Sequence, residues 1–290
     1  MQLKPKLFIV GAPKAGTTAL HAYFEKHPQV NMSSDKEPNY FSWHEIESQQ
    51  LYYKKNNVKT ESEYLSLFRP KDSTKICGEA SVSYLYYPQV ARRIHVFQPD
   101  ARIIISLRNP VIRAFSHYLM DYSLGLIKLD FETIFRNGKD HSLTKNYYQQ
   151  YFTVSDYAPQ IERYLEVFNK KQIHFLLHEN LVKNPIETLK QICQFLEIDY
   201  LSESETIEQQ NVTLTGKNAV ISILYQNEMF RKLAAGLFND SLKNKIKGFL
   251  FSKKPLPLLP KHLNEELKIH YLASMEQTEK MTGLNLSGWK

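Results

Sequence analysis

The sequence predicts a single α/β domain, with a mostly parallel central sheet that is flanked by helices. Two segments carry this prediction, because in each an apolar strand leads through a short loop into a helix: one begins at Lys6 and the other at Ala101. The 290 residues suit one large domain, and contents of 42% hydrophobic and 23% charged residues are ordinary for a globular protein. We find no internal repeat and no change in composition that would mark a domain boundary.

The first of these segments is typical of a phosphate-binding site. Lys6–Val10 is an apolar strand, Gly11–Thr18 is a loop with two glycines, and a helix is predicted from Thr17 to His27, where Pro28 ends it. At such a junction, free backbone N–H groups and the helix dipole point at a bound anion. A tight β–α turn without a ligand is the alternative interpretation.

The loop differs from the triphosphate-binding P-loop in the position of its cation. Gly11 and Gly16 have the P-loop spacing, but Thr17 stands where that motif has lysine, and the cation of the loop is Lys14. A lysine inside the loop can reach the oxygen that bridges a bound 5′-phosphate to the group that leaves it. The hydroxyls of Thr17 and Thr18 remain available to hold the phosphate itself.

In this loop the chain closely resembles the sulfotransferases that use 3′-phosphoadenosine 5′-phosphosulfate (PAPS), whose first motif is P-K-x-G-T-T after a strand. The resemblance implies a P-loop NTPase-like fold. It assigns PAPS binding to Lys14, Ala15, Gly16, Thr17 and Thr18, and it also implies that Lys14 is catalytic.

A second loop, Ser33–Phe41, follows a short extended segment at Gln29–Met32. Pro38 predicts an extended backbone at Glu37. The loop is expected at the carboxyl edge of the sheet, where open α/β sheets bind their ligands. Sulfotransferases of the carbohydrate and bacterial type carry K-E-P-x-x-F here, so the resemblance implies that Glu37 is the catalytic base. Taken alone, Lys36 and Glu37 are better explained as solvated charges, but the glycine loop favours the catalytic role.

The next segments are expected to border the site. Residues 43–72 are predicted to form a mostly helical excursion beside the acceptor cleft, and Thr74–Ser81 a strand that ends in small polar residues. The family has a similar G-E-x-[ST]-x-x-Y stretch on its substrate side. The resemblance therefore implies substrate contacts for Glu79, Ser81 and Tyr84.

The second strand–loop–helix segment supplies another cation. Ala101–Leu107 suits a strand buried on both faces, and Asn109 and Pro110 suit the N-cap and the first residue of a helix. Arg108 therefore ends the strand, and Ser116 lies inside the helix. An arginine fork and a hydroxyl in these places can converge on one phosphate.

This segment also resembles the family's second motif, R-[DN]-P-x-x-R-x-x-S, which binds the 3′-phosphate of PAPS. The resemblance implies that role for Arg108 and Ser116. Arg113 matches as well, although a structural ion pair explains it equally. His117 is a further substrate candidate, for which a packed histidine is the better interpretation.

Two other classes of protein stay open. A P-loop-type kinase or NTPase would end one strand in a metal-binding aspartate, whereas the strands here end in Arg108 and in His178-Glu179. The missing lysine and the missing aspartate argue together against magnesium-dependent phosphoryl transfer. A non-catalytic nucleotide-binding module would have no need of Glu37 beside Lys14.

The C-terminal half holds fewer motifs. Residues 139–152 are predicted to form an aromatic, polar loop that covers the acceptor, and His178–Pro185 to be a structural cap without a chemical role. The loop that contains Lys217 corresponds to a family loop that folds over the nucleotide, so the resemblance implies a PAPS contact for Lys217. Residues 241–261 are predicted to be a solvated loop before a closing helix at Leu263–Met281.

Composition limits the partners. The net charge of +7 comes from scattered lysines, so no nucleic acid is expected. No apolar run has membrane-spanning length and the N-terminus lacks a signal peptide's apolar segment, so we expect a cytoplasmic protein without a membrane partner. Cys77 and Cys193 are expected to be reduced core residues, and the ten histidines show no metal-ligand spacing, so no metal is expected.

The sequence thus predicts one sulfotransferase domain over residues 1–290, including the excursion at 43–72 and a C-terminal piece at 241–290. The expected reaction moves the sulfuryl group of PAPS to a hydroxyl or amine of a small polar molecule, a natural product or a carbohydrate, and releases 3′,5′-ADP. We expect an enzyme of the bacterial type, and the sequence assigns no oligomeric state.

Overall fold

A five-stranded parallel sheet forms the centre of the protein, with the strand order β2-β3-β1-β4-β5. The computed structural model describes residues 4–49, 58–138, 144–201, 215–216, 251–252 and 256–290. The strands are β1 (Leu7–Gly11), β2 (Val30–Met32), β3 (Ile76–Ala80), β4 (Arg102–Leu107) and β5 (Ile173–Leu177). The predicted α/β fold with a parallel central sheet is therefore confirmed.

Helices cover both faces of this sheet. In chain order they are α1 (Thr17–Lys26), α2 (Trp43–Ser48), α3 (Glu61–Leu65), α4 (Val90–Phe97), α5 (Pro110–Ser123), α6 (Phe131–Asn137), α7 (Lys145–Tyr151), α8 (Ala158–Val167), α9 (His178–Lys183), α10 (Pro185–Leu196) and α11 (Lys261–Thr282). A separate antiparallel pair joins β6 (Thr215–Gly216) and β7 (Phe251–Ser252). No helix in the described part of the chain is long and apolar enough to cross a membrane.

Alternate residues of the strands enter two hydrophobic cores. Phe8 and Ile103 belong to the core under α4, α5, α8 and α11, whereas Ile9 and Ile104 belong to the core under α1 and α10. Side chains of a strand alternate between faces, so a strand between two helical layers must be apolar on both sides. The two cysteines are free and buried, as expected, one in each core.

The carboxyl ends of the strands bring the predicted loops to one edge of the sheet. After β1, the Ala12 N–H donates to the Ser106 carbonyl of β4 at 2.7 Å, and beyond β2 the Glu37 N–H donates to the Ala80 carbonyl of β3 at 3.1 Å. The parallel arrangement therefore places the glycine loop, the Glu37 loop and the end of β4 next to each other.

The start of α5 matches the prediction. The Asn109 side chain accepts hydrogen bonds from the N–H groups of Val111 at 3.0 Å and Ile112 at 3.2 Å, and Pro110 is the first helical residue. Asparagine at the N-cap satisfies backbone donors that the helix leaves free, and proline has no N–H to satisfy. This cap fixes where β4 ends and therefore where Arg108 lies.

One predicted loop is instead part of the core. In the region 139–152, the described residues form α7, and Tyr148, Tyr151 and Phe152 are buried. These aromatic side chains recur at helical spacing, which explains why the segment folds as an amphipathic helix and cannot serve as a loop over an acceptor. The excursion at 43–72 is partly helical, as α2 and α3. Most of residues 211–218 and 241–255 lies outside the described residues.

Arg113 connects α5 to the end of α7 and to the turn that follows it. Its side chain is fully buried and donates to the carbonyls of Gln150 at 2.7 Å and Tyr151 at 2.6 Å, and to the Ser155 hydroxyl at 2.6 Å. The role is structural, but these acceptors are neutral carbonyl and hydroxyl oxygens and not the acidic partner of the structural ion pair that was considered. The match of Arg113 to the second motif therefore reflects packing.

We predict that Arg113→Met lowers the free energy of unfolding by about 2–5 kcal/mol, because it leaves several buried acceptors without donors. Urea unfolding followed by circular dichroism measures this. Arg92→Met, at an exposed position of α4, is the matched control and should change stability by less than about 0.5 kcal/mol. Equal stability of the two variants would contradict the structural role.

Candidate active site

The glycine loop leaves the start of α1 open to an anion. Gly16 is the N-cap of α1 with a φ of 85°, and no side chain caps the helix. The first-turn N–H groups of a helix need partners from outside it, and a phosphate is one that suits them. A Cβ at Gly16 would lie 2.8 Å from Nδ1 of His178, so the turn requires glycine for its φ and for the close approach of α9.

The other residues of the loop differ in exposure. Ala15 is buried and its carbonyl accepts a 2.6 Å bond from the Ser106 hydroxyl, so only its backbone can face a ligand. Thr17 is buried, whereas Thr18 is exposed. The two threonines that are predicted to contact the phosphate therefore differ in their exposure to solvent.

Lys14 occupies a strained and partly desolvated position. Its φ of 69° lies in the left-handed region, and Nζ is 3.5 Å from Sδ of Met120 on α5. Burial lowers the pKa of the Lys14 ammonium, and the Arg108 guanidinium lowers it further, while Asp121 acts in the opposite direction. Strained non-glycine residues concentrate at functional sites, and an ammonium under these conditions favours an anionic partner.

Arg108 joins the second motif to this loop. Its Nη1 donates to the Lys14 carbonyl at 3.1 Å, and its own carbonyl accepts a 2.8 Å bond from the Tyr157 hydroxyl. Burial lowers the pKa of the Arg108 guanidinium, and the Glu179 carboxylate partly opposes this. The structure thus brings Lys14 and Arg108 together. Ser116 lies half-buried on α5, and its convergence with Arg108 stays a prediction.

Glu179 is a site residue that the sequence interpretation missed. The segment was predicted to be a cap without chemistry, yet Oε1 of Glu179 accepts the Asn109 N–H at 3.1 Å, and the carboxylate lies close enough to Arg108 to affect its pKa. Within the described part of the chain, its Oε2 is buried without a hydrogen-bond partner. The sequence did contain a signal for Glu179: it is an acidic residue just after β5, at the same edge of the sheet where β4 ends in Arg108.

Glu37 does not have the extended backbone that Pro38 predicts. Its φ is 61°, because a bond from its N–H to the Ala80 carbonyl and a bond from Nδ2 of Asn39 to its carbonyl hold the turn. The carboxylate pairs with Nζ of Lys36 at 2.7 Å, and 38% of the side chain is exposed. Lys36 also contributes to lowering the Lys14 pKa, so this loop and the glycine loop interact electrostatically.

The predicted substrate residues Glu79, Ser81 and Tyr84 form a closed network beneath the Glu37 loop. Glu79 is fully buried and accepts hydrogen bonds from Tyr64 at 2.6 Å, Ser81 at 2.6 Å and Tyr84 at 2.9 Å. Burial raises the pKa of Glu79 to about 7, although the three hydroxyls favour the ionised form. Their hydroxyls already have partners, so in this structure these residues support the site from below.

The remaining candidates are placed as follows. His117 is buried between Arg113 and the Tyr151 ring, and burial, then Arg113 and Lys14, lower its pKa well below the usual value. It is a packed, neutral histidine. Lys217 lies outside the described residues. Among the residues that are described, no group of three or more His, Cys, Asp or Glu side chains could hold a metal ion.

We predict that Glu79 makes stability depend on pH. The unfolded chain releases this proton near pH 4.5 and the folded chain near pH 7, so the folded state holds an extra proton between them. The free energy of unfolding therefore falls as the pH rises through this window, by about 3 kcal/mol at most. Urea unfolding of wild type and Glu79→Gln between pH 4.5 and 8 measures the difference.

The variant should lose this part of the pH dependence, and Glu276→Gln, at an exposed position of α11, should keep it. Parallel stability curves for wild type and Glu79→Gln would show that Glu79 titrates normally.

Solved structures support the described fold. A crystal structure of a sulfotransferase from Alicyclobacillus acidocaldarius matches with a TM-score of 0.72 and 26% sequence identity, covering 99% of this chain and 98% of that one. A mouse sulfotransferase complexed with PAP matches with a TM-score of 0.52 and 16% identity, over 97% of this chain and 88% of that chain. At that identity the second likeness concerns the fold alone.

Sequence comparison agrees. Human carbohydrate sulfotransferase 15 is 29% identical over 252 residues, which are 69% of this chain and 45% of the human protein, so the chain spans less than half the length of that relative. The model of the sulfotransferase domain family matches residues 4–232. The chain therefore belongs to the sulfotransferase domain family.

Proposed function

We propose that this protein transfers the sulfuryl group of PAPS to a hydroxyl or amine of an acceptor and releases 3′,5′-ADP. The observation that carries the proposal is the contact between Arg108 and the Lys14 carbonyl at 3.1 Å, which unites two phosphate-binding motifs in one site. A nucleotide with phosphates at both its 5′ and its 3′ position needs two phosphate-binding motifs. PAPS is such a nucleotide.

The electrostatics support a ligand with two anionic groups. Burial lowers the pKa of both Lys14 and Arg108, so each loses solvation that an anion would replace. The open N-terminus of α1 adds backbone N–H groups and the positive end of a helix dipole. These features fit the 5′-phosphate at the glycine loop and the 3′-phosphate at Arg108.

In the proposed reaction Glu37 acts as the base. It takes the acceptor's proton as the acceptor oxygen or nitrogen forms a bond to sulfur, and the bond between sulfur and the 5′-phosphate oxygen breaks. The electron pair of that bond stays on the phosphate of 3′,5′-ADP, where Lys14 stabilises the charge. The backbone of Ala15 and Gly16, with Thr17 and Thr18, holds this phosphate.

Glu79 is the competing candidate for the base. A pKa near 7 suits a general base, but the carboxylate is enclosed by three hydroxyl donors and has no exposed surface, whereas 38% of the Glu37 side chain is exposed. An acceptor can reach Glu37 without rearrangement of the fold, and we therefore assign the role to Glu37.

The acceptor is proposed at the level of its class. The similarity to human carbohydrate sulfotransferase 15 supports a carbohydrate. A small polar molecule or a natural product is the alternative acceptor. The match to nearly the whole of a bacterial sulfotransferase supports the bacterial type. The cytoplasmic location expected from the sequence stays a prediction.

The test is a side-by-side titration with 3′,5′-ADP and with ATP·Mg, followed by incubation with radiolabelled PAPS and a cell extract. We expect tighter binding of 3′,5′-ADP and transfer of label to an acceptor. Preference for ATP·Mg would favour a kinase or NTPase, and binding of 3′,5′-ADP without any transfer would favour a non-catalytic module.

We predict that Lys14→Ala and Glu37→Gln each lower turnover by roughly 10²–10³ while the protein stays folded and binds 3′,5′-ADP, because each removes a group needed in the transition state. Turnover with radiolabelled PAPS measures this. Lys26→Ala, in the last turn of α1, is the control for Lys14 and should keep full activity. Full activity of Glu37→Gln together with loss of activity in Glu79→Gln would move the base to Glu79.

We predict that Arg108→Ala weakens 3′,5′-ADP binding by about 1.5–3 kcal/mol, or roughly 10- to 100-fold, because it removes charged hydrogen bonds to the 3′-phosphate. Isothermal titration calorimetry measures the affinity. Arg102→Ala is the matched control, since Arg102 is at the other end of β4 and pairs with Glu197. If both variants bind the nucleotide like wild type, Arg108 does not contact its phosphate.

A further inference from the structure

Asn39, two residues after Glu37, makes several hydrogen bonds that hold the Glu37 loop. Its Nδ2 donates to the Glu37 carbonyl at 2.8 Å, and its Oδ1 accepts a bond from the Ser83 hydroxyl at 2.7 Å. Its φ of 52° lies in the left-handed region, which asparagine tolerates better than most residues. The side chain therefore links Glu37 to the turn that follows β3.

The backbone of Asn39 is anchored to the same turn. Its N–H donates to the Ser81 hydroxyl at 3.1 Å, and Ser81 in turn donates to the buried Glu79 at 2.6 Å. The Asn39 carbonyl accepts the N–H of Ser42 at 3.0 Å. The backbone of Asn39 is thus held by two buried residues, Ser81 and Ser42, and its side chain is held by Ser83, which is half-buried.

This anchoring matters because Glu37 has a backbone conformation that its sequence disfavours. A residue before proline prefers an extended backbone, and glutamate rarely adopts a φ of 61°. The bond from Nδ2 of Asn39 fixes the carbonyl between Glu37 and Pro38, which is the group that would rotate if Glu37 relaxed. Without that bond the carboxylate loses the position in which it pairs with Lys36 beside the glycine loop.

We propose that Asn39 is a positioning residue for sulfuryl transfer, which holds Glu37 in its left-handed conformation through the bond to the Glu37 carbonyl. This inference rests on the proposed function, in which Glu37 is the base. Asn39 does not contact the reacting atoms in this account, and its effect passes through Glu37 alone.

The test compares Asn39→Ala, Asn39→Gly and Asn39→Asp by turnover, acceptor KM and 3′,5′-ADP affinity. Glycine keeps the left-handed backbone but loses both side-chain bonds, and aspartate keeps the acceptor for Ser83 but loses the donor to Glu37. All three should lower kcat by about 10–100-fold, the size expected when a catalytic group is slightly misplaced. The affinity for 3′,5′-ADP should stay within about twofold, since the glycine loop and Arg108 are untouched.

A second measurement separates positioning from a general structural role. In a Glu37→Gln background, Asn39→Ala should cause no further loss of turnover, because the position of an absent base has no effect. Asn169→Ala is the matched control: the side chain of this asparagine also bonds a nearby backbone group, accepting the Lys171 N–H at 2.9 Å, but at the opposite edge of the sheet, and its loss should leave kcat unchanged.

Wild-type turnover in Asn39→Asp or Asn39→Gly would overturn the proposal, and so would an equal loss from Asn39→Ala in both backgrounds. Failure of the proposed function gives a different result, since wild type would then transfer no label from PAPS. A wrong base is also distinguishable, because Glu37→Gln alone would keep its activity.

Discussion

The site depends on one hydrogen bond, from the Arg108 guanidinium to the Lys14 carbonyl at 3.1 Å. It connects the residue that ends β4 to the loop that follows β1, and the parallel pairing of these two strands makes the connection possible. Because the bond uses the carbonyl of Lys14 and Nη1 of Arg108, the Lys14 ammonium and the other N–H groups of the guanidinium remain available to a ligand. A polyanionic nucleotide is the kind of molecule that stabilises two cations held so close together.

A second set of interactions supports the Glu37 loop. Buried Glu79 fixes Ser81, Ser81 and Ser83 fix Asn39, and Asn39 fixes the carbonyl of Glu37. Each hydroxyl or amide in this series has a defined hydrogen-bond partner, so the loop that bears the proposed base is connected to the strand beneath it. The two cations and the proposed base thus lie at one edge of the sheet and are held there by separate sets of hydrogen bonds.

Much of the fold follows from local sequence. The triple isoleucine of β4, the N-cap Asn109 and the helical spacing in α1 each act within a few residues, and all were confirmed. The meeting of Lys14 with Arg108 was also predictable, because parallel strands deliver the residues at their carboxyl ends to one edge.

The errors arose where tertiary contacts override local preference. The backbone of Glu37 is left-handed because Ala80 and Asn39 hold it: Ala80 is distant in the sequence, and the bond from the Asn39 side chain back to the Glu37 carbonyl is a contact that the Pro38 rule does not include. The aromatic residues near Tyr151 look like a polar loop until the core that they fill is known. Glu179 lies at the site through its bond to Asn109, seventy residues earlier in the chain, and through its proximity to Arg108.

The most direct test of the central claim is a crystal structure with 3′,5′-ADP bound. The account predicts that one nucleotide molecule contacts both motifs, with its 5′-phosphate at Lys14 and the N-terminus of α1 and its 3′-phosphate at Arg108. A nucleotide that contacts only one of these side chains, or that binds at another surface, would contradict it.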